Sequence, residues 1–540
     1  MADAIVIGAG QNGLVAANHL ADRGWSVTVL EANSEPGGAV RSGQITVPGF
    51  THDLFSAFYP LAVASPAIVD LELERYGLRW RQSPLVLAHP LPDGRCATLS
   101  TQIDQTAANL DGFAAGDGDG WRRLMSDWND VSDQFLNALL RPFPPVRAAA
   151  SLLRQLKVGG TLRFVRHALL PVRRMAEEFF SGEGGGLLLG GSALHADLCP
   201  EAAGSGLYGW LLCCLGQTFG FPVPEGGAGM LTQAMVRRLE SRGGQVLCGK
   251  RVTKVIIRGG RAVGAITADG DEVSAGRAVL ADVTAPALYT ELIDREHLPS
   301  GLFADLRHFQ WDTSTVKIDW ALRRPVPWAA PEAAEAGTVH IADDFNNLTE
   351  FTAHLAMGQI PARPFLLFGQ QSRADPTRAP EGAETAWAYT HVPRTIRGDA
   401  GGEVRVDPGS GEDAWLPAFM ERIENRVEAM APGFRDSILG RHCFSPSGLE
   451  EADANLVGGA INGGTAQIHQ QLVFRPVPGL GRADTPVPNL FLASASAHPG
   501  GGVHGAAGAN AAMAAIAGWS GARARLLRLS RRGSRRAPNF

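Results

Sequence analysis

Ala4-Ile5-Val6-Ile7-Gly8-Ala9-Gly10-Gln11-Asn12-Gly13, running on through Leu14 to Arg23 and into Ser26-Val27-Thr28-Val29-Leu30-Glu31, decides the fold class. The apolar run at 4–7 reads as a buried parallel strand. Leu14, Ala17 and Leu20 then recur at helical spacing, with Gly24 as the stop signal. Residues 26–30 read as a second strand ending in an acid. In this context Gly8 makes a tight turn, Gly10 admits a pyrophosphate to the backbone, and Gly13 lets the helix pack close to the strand. The helix N-terminus offers unpaired N–H groups and partial positive charge to phosphate. Glu31 lies 18 residues past Gly13, where a carboxylate accepts from a ribose hydroxyl and disfavours a 2′-phosphate. The unit is a Rossmann-like, NAD(P)-binding-like α/β fold; NADP is disfavoured, and NAD and FAD both remain open.

The 540 residues suffice for three to four domain equivalents, interleaved rather than serial. Hydrophobic residues make up 45% and charged residues 19%, which excludes general disorder and predicts a large core. A net charge of −5 excludes a globally basic nucleic-acid binder. The charge is uneven: residues 141–175 hold eight Lys/Arg and no acid, and residues 521–540 hold seven Arg and no acid. Six scattered cysteines form no CxxC, so neither a zinc site nor a redox dithiol is expected, and the chain reads as cytoplasmic. There is no basic, apolar leader and no run of about 18 apolar residues, so no transmembrane helix is expected. No HExxH helix or P-loop is present, which leaves hydrolase and kinase readings without support.

Further motifs carry a family resemblance. Glu35-Pro36-Gly37-Gly38-Ala39-Val40-Arg41 follows the acid, and Gly49-Phe50-Thr51-His52-Asp53 comes next. Pro224-Glu225-Gly226-Gly227-Ala228-Gly229 leads into a helical stretch, then into Lys250 to Val255 and the buried strand Ala278-Val279-Leu280-Ala281-Asp282. Near the C-terminus stands Ser494-Ala495-Ser496-Ala497-His498-Pro499-Gly500-Gly501-Gly502-Val503-His504-Gly505. Together these resemble the phytoene desaturase and carotenoid oxidoreductase-like FAD-dependent enzymes, and within them the branch of pyridine nucleotide-disulfide oxidoreductase domain-containing protein 2. The resemblance implies FAD as cofactor and a Rossmann-like FAD-binding domain of amine-oxidase type interleaved with an α+β substrate domain. It assigns residues 1–100, 222–300 and 484–520 to the first, and 101–221 and 301–483 to the second. Residues 521–540 are expected to be a disordered tail. The implied cofactor contacts are Gly8, Gly10, Gly13, Glu31, Ala32, Gly37, Gly38, Arg41, Val252, Ala281, Gly501, Gly502 and Val503, with no metal. The small-residue helix from about Gly505 can also point its N-terminus at reduced flavin.

Trp121, Leu124, Trp128 and Val131 predict helix in the first intervening segment, and Ser314 to Leu322 predicts a strand in the second. Residues 141–175 mix leucines with their positive charges and are open to two readings, a membrane-facing amphipathic helix or a solvated cap or oligomer contact. Candidate acid–base residues are His498 and His504, flanking the glycine run, and His469; each can instead be an orienting group. The implied function is an FAD-dependent oxidoreductase that desaturates an apolar isoprenoid or polyene and passes electrons to an acceptor such as oxygen or a quinone. Polyene cis–trans isomerisation on reduced flavin, amine oxidation, and a non-catalytic flavin-binding protein are the alternatives.

Overall fold

The computed structural model describes residues 1–406 and 411–533. The strand Ala2–Ile7 lies at the centre of its sheet, because Ala4 to Ile7 are apolar and can be covered on both faces. It runs parallel to Val27–Leu30 on one side and to Glu272–Ala281 on the other, with Ile5 opposite Thr28 and Val279. Gln245–Leu247 and Leu490–Leu492 extend this parallel array at its two edges. The helix Gln11–Ala21 covers one face together with helices Gly229–Ser241 and Ala506–Gly533. The C-terminal helix comes so close to the first that a Cβ on Gly508 would overlap the Asn12 carbonyl. On the other face, Val252–Arg258 and Arg261–Thr267 form a meander with the start of Glu272–Ala281. That last strand is thus antiparallel to Gly264–Ile266 through Glu272–Ser274 and parallel to the first strand through Ala278–Ala281.

A second sheet has the order Ile438–Phe444, Ser314–Leu322, Glu384–Val392, Leu366–Gly369, Ala336–Ile341, Leu85–Pro90, Cys96–Leu99. All its pairings are antiparallel except that of Ala336–Ile341 with Leu85–Pro90. Strand alternation divides the work of Ser314–Leu322. Val316, Ile318 and Trp320 enter a core with Phe368, Phe419 and Phe434, under the amphipathic helix Leu416–Met430, while Thr315 and Lys317 face a cavity. The helices between 103 and 219 close the other side of that cavity. Their core is aromatic: Trp128 meets Trp210 edge to face at 5.6 Å, with Trp121 and Phe180 stacked nearby.

Two expected boundaries move. Leu85–Pro90 and Cys96–Leu99 pair in the second sheet, so the break expected at residue 100 falls earlier in the chain. The basic segment from 521, expected to be disordered, continues the helix Ala506–Gly533; the remainder, 534–540, lies outside the described residues. Residues 141–175 contain the helix Val146–Leu169, interrupted at Lys157 (φ +56°), and the start of Val172–Phe179. Among the described residues no helix is long and apolar enough to cross a membrane.

Candidate functional site

The glycine turn builds one end of the site. Gly8 adopts φ +92°, a conformation that strains any side chain, and a Cβ on Gly10 would lie 2.6 Å from Asp282 Oδ2. Asp282 stands at the end of its parallel strand and accepts the Gly13 N–H at 2.8 Å. Burial, followed by repulsion from Asp453 and Glu31, outweighs that bond and raises its carboxyl to about 8. Asp453 also lines the cavity and is raised by burial. Glu31 accepts from the N–H groups of Ala9 (2.7 Å) and Asn33 (2.8 Å), which fixes the acid beside the turn. Gly37 donates to the Ala9 carbonyl at 2.8 Å, bringing the second glycine pair against the first; Gly38, at φ +54°, lines the cavity with Gly10. Arg41 does not line it. Its guanidinium donates to the carbonyls of Gly38 (2.9 Å) and Ala452 (2.7 Å) and so holds the second glycine pair from behind.

The C-terminal glycine run builds the opposite side. Gly501, Gly502 and Val503 line the cavity. Gln11 ties this run to the first turn, donating to Gly502 O at 2.8 Å and accepting from Gly505 N at 3.3 Å. His504 also lines the cavity, but its Nδ1 accepts the Ala506 N–H at 3.0 Å and caps the C-terminal helix. Burial lowers it to about 4, so it is neutral at pH 7. His498 is buried against the Arg141 carbonyl (3.2 Å) and Phe143, outside the cavity lining. His469 is exposed and contacts Gln310 at 3.1 Å, away from the cavity. Ala281 spends its carbonyl on Ala493 N (2.8 Å) within the sheet; the residue that reaches the cavity is its neighbour Asp282. Val252 and Ala32 lie outside the lining, Val252 paired to Thr267 and Ala32 half-buried beside Glu31.

Between these loops and the second sheet lies a cavity of about 390 Å³. Leu139, Leu140, Leu211, Leu212, Leu215 and Phe221 form its helical wall. The sheet wall is polar and aromatic, with Thr315, Lys317, Trp387 and Tyr389, and His195, at the end of the helix Glu183–Leu194, adjoins it. Lys317 is buried, bonds Asp319 at 2.6 Å and the Asp53 carbonyl at 3.0 Å, and sits 5.7 Å from the Trp387 ring centre. Asp53 in turn accepts from Arg378 (2.9 Å), Ser42 (2.9 Å) and Ala228 N (2.7 Å), so His52-Asp53 braces loops behind the cavity. Arg475 is fully enclosed by the carbonyls of Asn462, Thr465 and Ala495 and shapes the loop facing Gly500. Sequence reading missed Lys317, Asp282, Asp453 and His195. Asp282 alone carried a usable signal, an acid ending a parallel strand as Glu31 does.

The arrangement fits FAD. Two helix N-termini without an acidic residue in the first turn approach the cavity at Gly10 and at His504. Gly10, Gly38 and Gly501 line the cavity where a Cβ would collide with Asp282, Gly10 and Asn462 respectively, so only glycine lets these loops close up around it, and Asn12 Oδ1 is buried in the lining without a partner. The cofactor's diphosphate would meet the glycine turn; Glu31, beside that turn but outside the cavity lining, is the acid that would serve its ribose. Comparison with known proteins agrees. Residues 13–368 match the model of the flavin containing amine oxidoreductases. The chain is 29% identical to pyridine nucleotide-disulfide oxidoreductase domain-containing protein 2 of Rattus norvegicus, over 94% of this chain and 92% of that one. It is 25% identical to the neurosporene-forming phytoene desaturase of Cereibacter sphaeroides, over 94% and 93%. The crystal structure of an oxidoreductase from Methanosarcina mazei shares the fold at a TM-score of 0.60 and 16% identity, covering 95% of this chain and 99% of that one. The chain belongs to the flavin containing amine oxidoreductases and is an FAD-dependent oxidoreductase.

Proposed function

We propose that this enzyme desaturates an apolar isoprenoid or polyene chain, with the flavin as electron acceptor and oxygen or a quinone reoxidising it. The observation that carries the reading is the apolar helical wall, Leu139 to Phe221, facing the glycine run at Gly501. The only carboxylates lining the cavity among the described residues are Asp282 and Asp453, beside Gly10 and Gly38. The sheet wall therefore has no anion to receive a substrate ammonium, which disfavours an amine. When bound, FAD supplies the hydride acceptor for a C–H bond. The chain's residues exclude water through the leucine wall and place the Lys317 ammonium, already neutralised by Asp319, on the opposite face. Peripheral lipid contact belongs to the same proposal. Val158, Leu162, Val165 and Leu169 are exposed among Arg154, Lys157 and Arg163, close in sequence to the cavity residues Leu139 and Leu140.

The test is anaerobic titration of the flavoprotein with candidate polyenes, followed by product separation. Bleaching of the visible flavin band with formation of a more unsaturated product is expected. An isomer formed only after prior reduction, with no further spectral change, would replace desaturation by isomerisation. Bleaching by amines and not by polyenes would overturn the reading. For the lipid contact, cosedimentation with anionic vesicles is expected at low salt and lost at high salt; no cosedimentation at either salt concentration would remove it.

A further inference from the structure

The sheet wall carries a histidine cluster that the desaturation of a plain hydrocarbon does not require. His195 follows the helix Glu183–Leu194 and lines the cavity. Its Nε2 lies 2.8 Å from Nε2 of His340, a wholly buried residue of Ala336–Ile341. His89 sits behind, 6.1 Å from His340 between ring centres and in contact with the Ala342 carbonyl at 3.3 Å. The helix makes room for this cluster, since a Cβ on Gly191 would overlap His340 Nδ1 and one on Gly190 would crowd Leu348 and Phe345. Glycine within a helix costs about 1 kcal/mol relative to alanine, so the close approach of helix to ring is bought at a real loss of helix stability.

Burial holds His195 down to about 3 and His89 to about 4, and keeps His340 well below its ordinary value, so all three rings are neutral at pH 7. A neutral Nε2–Nε2 contact makes one ring the donor and the other the acceptor and so couples their tautomers: His195 Nδ1 is an acceptor when its Nε2 donates and a donor when its Nε2 accepts. With Nε2 engaged, Nδ1 of His195 is the ring nitrogen left to meet a ligand. A hydrocarbon filling the cavity would strip water from that nitrogen and return no hydrogen bond, at a cost on the order of 1–3 kcal/mol. Tyr389 and Thr315 line the same wall, and behind them Asp197 pairs with His391 at 2.5 Å. Burial pulls the His391 imidazole down, but Asp197 outweighs it and leaves His391 raised.

We propose that His195, positioned by His340, is a specificity-determining subsite that binds a neutral oxygen function, a hydroxyl or carbonyl, carried on the apolar chain of the substrate. This rests on the apolar-substrate reading above and narrows it from a plain hydrocarbon to an oxygenated one. An uncharged imidazole matches a neutral oxygen better than a carboxylate or an ammonium.

The test compares phytol with phytene, an alcohol and an alkene of one carbon skeleton, titrated into the FAD-loaded protein. Binding is followed by the flavin absorption band and by tryptophan emission, since Trp387 lines the cavity. The wild type is expected to bind phytol at least about tenfold more tightly than phytene. His195→Phe should bring the two within about threefold by weakening phytol alone. His340→Leu should do the same, while His340→Gln, which keeps a side-chain donor, should restore part of the preference. Equal binding of both probes by the wild type would overturn this subsite and leave the apolar-substrate reading standing. Failure of both probes to bind would overturn that reading and the subsite with it. A phytol preference unchanged in His195→Phe would remove His195 from the role. Because the wild-type comparison needs no variant, misfolding of a variant leaves the proposal falsifiable.

Discussion

Replacing Asp282 by Asn removes an ionisable group from the glycine turn and keeps an acceptor for the Gly13 N–H, now at 2.8 Å. Burial, with Asp453 and Glu31 adding to it, raises the Asp282 carboxyl to about 8, so it is mostly protonated at pH 7. A bound diphosphate adds negative charge and strengthens the demand for that proton. Binding is then linked to one proton: the FAD dissociation constant should be level below pH 8 and rise toward tenfold per pH unit above it. At pH 9.5 the wild type should bind FAD roughly thirtyfold more weakly than at pH 7, by the same linkage. Asp282→Asn should stay level within about twofold. Flavin fluorescence titration of the deflavinated protein from pH 6 to 9.5 measures both. The shift also fixes the sign of a stability profile. The folded-state value is raised, so the contribution is fully present below 3.8 and is lost as pH rises through about 8. Four units correspond to a loss on the order of 5 kcal/mol at most, which the Asn variant should in part recover at pH 8–9. A wild type with no slope above pH 8, or a variant with the same slope, would refute this account of Asp282.

Other substitutions probe separate parts of the site. Gly10→Val should abolish FAD binding, since a Cβ already falls 2.6 Å from Asp282 Oδ2; retained visible flavin bands in the purified variant would contradict this. Arg378→Met leaves Asp53 and Asp375 buried without their shared partner, a loss of about 3–5 kcal/mol that should appear as a lowered melting temperature. Gly191→Ala drives a methyl into the His340 ring and should cost about 1–3 kcal/mol in the same assay, whereas Gly159→Ala, helical and with nothing near its Cβ, should stabilise by up to about 1 kcal/mol.

The flavin half was legible because its constraints are local. Gly8, Gly10 and Gly13 must stand at fixed spacing between a strand and a helix, and a strand buried on both faces must be a continuous apolar run. Ser314–Leu322 was legible through another local signal, the alternation of Val316, Ile318 and Trp320 with polar positions. Leu85–Pro90 was placed in the wrong half because its neighbour in space, Ala336–Ile341, lies some 250 residues away, and nothing within either strand names the other. The polar wall of the cavity shares that difficulty. His195 and His340 are 145 residues apart, and each alone reads as an ordinary core histidine. Lys317 reads in sequence as one polar position in an alternating strand, and its burial follows only from the closure of the cavity above it. His498 and His504 were singled out by closeness in sequence to the glycine run, and His469 by the resemblance of its own segment, yet side-chain direction decides access: His498 meets the Arg141 carbonyl, helix capping engages His504, and His469 meets Gln310 at the surface.

The hydrogen bond from Gln11 to Gly502 joins residues 491 positions apart. During synthesis at about 5–20 residues per second, the glycine turn leaves the ribosome roughly half a minute to a minute and a half before its closing partner. The central strand Ala2–Ile7 waits for Glu272–Ala281 through much of that interval, with apolar side chains on both faces and only Val27–Leu30 near it in sequence. Until the glycine run arrives the nascent chain presents an incomplete nucleotide groove and a sticky parallel edge. A holding chaperone would have that window in which to act, and flavin, by binding the folded chain alone, would shift the finished polypeptide away from proteolysis.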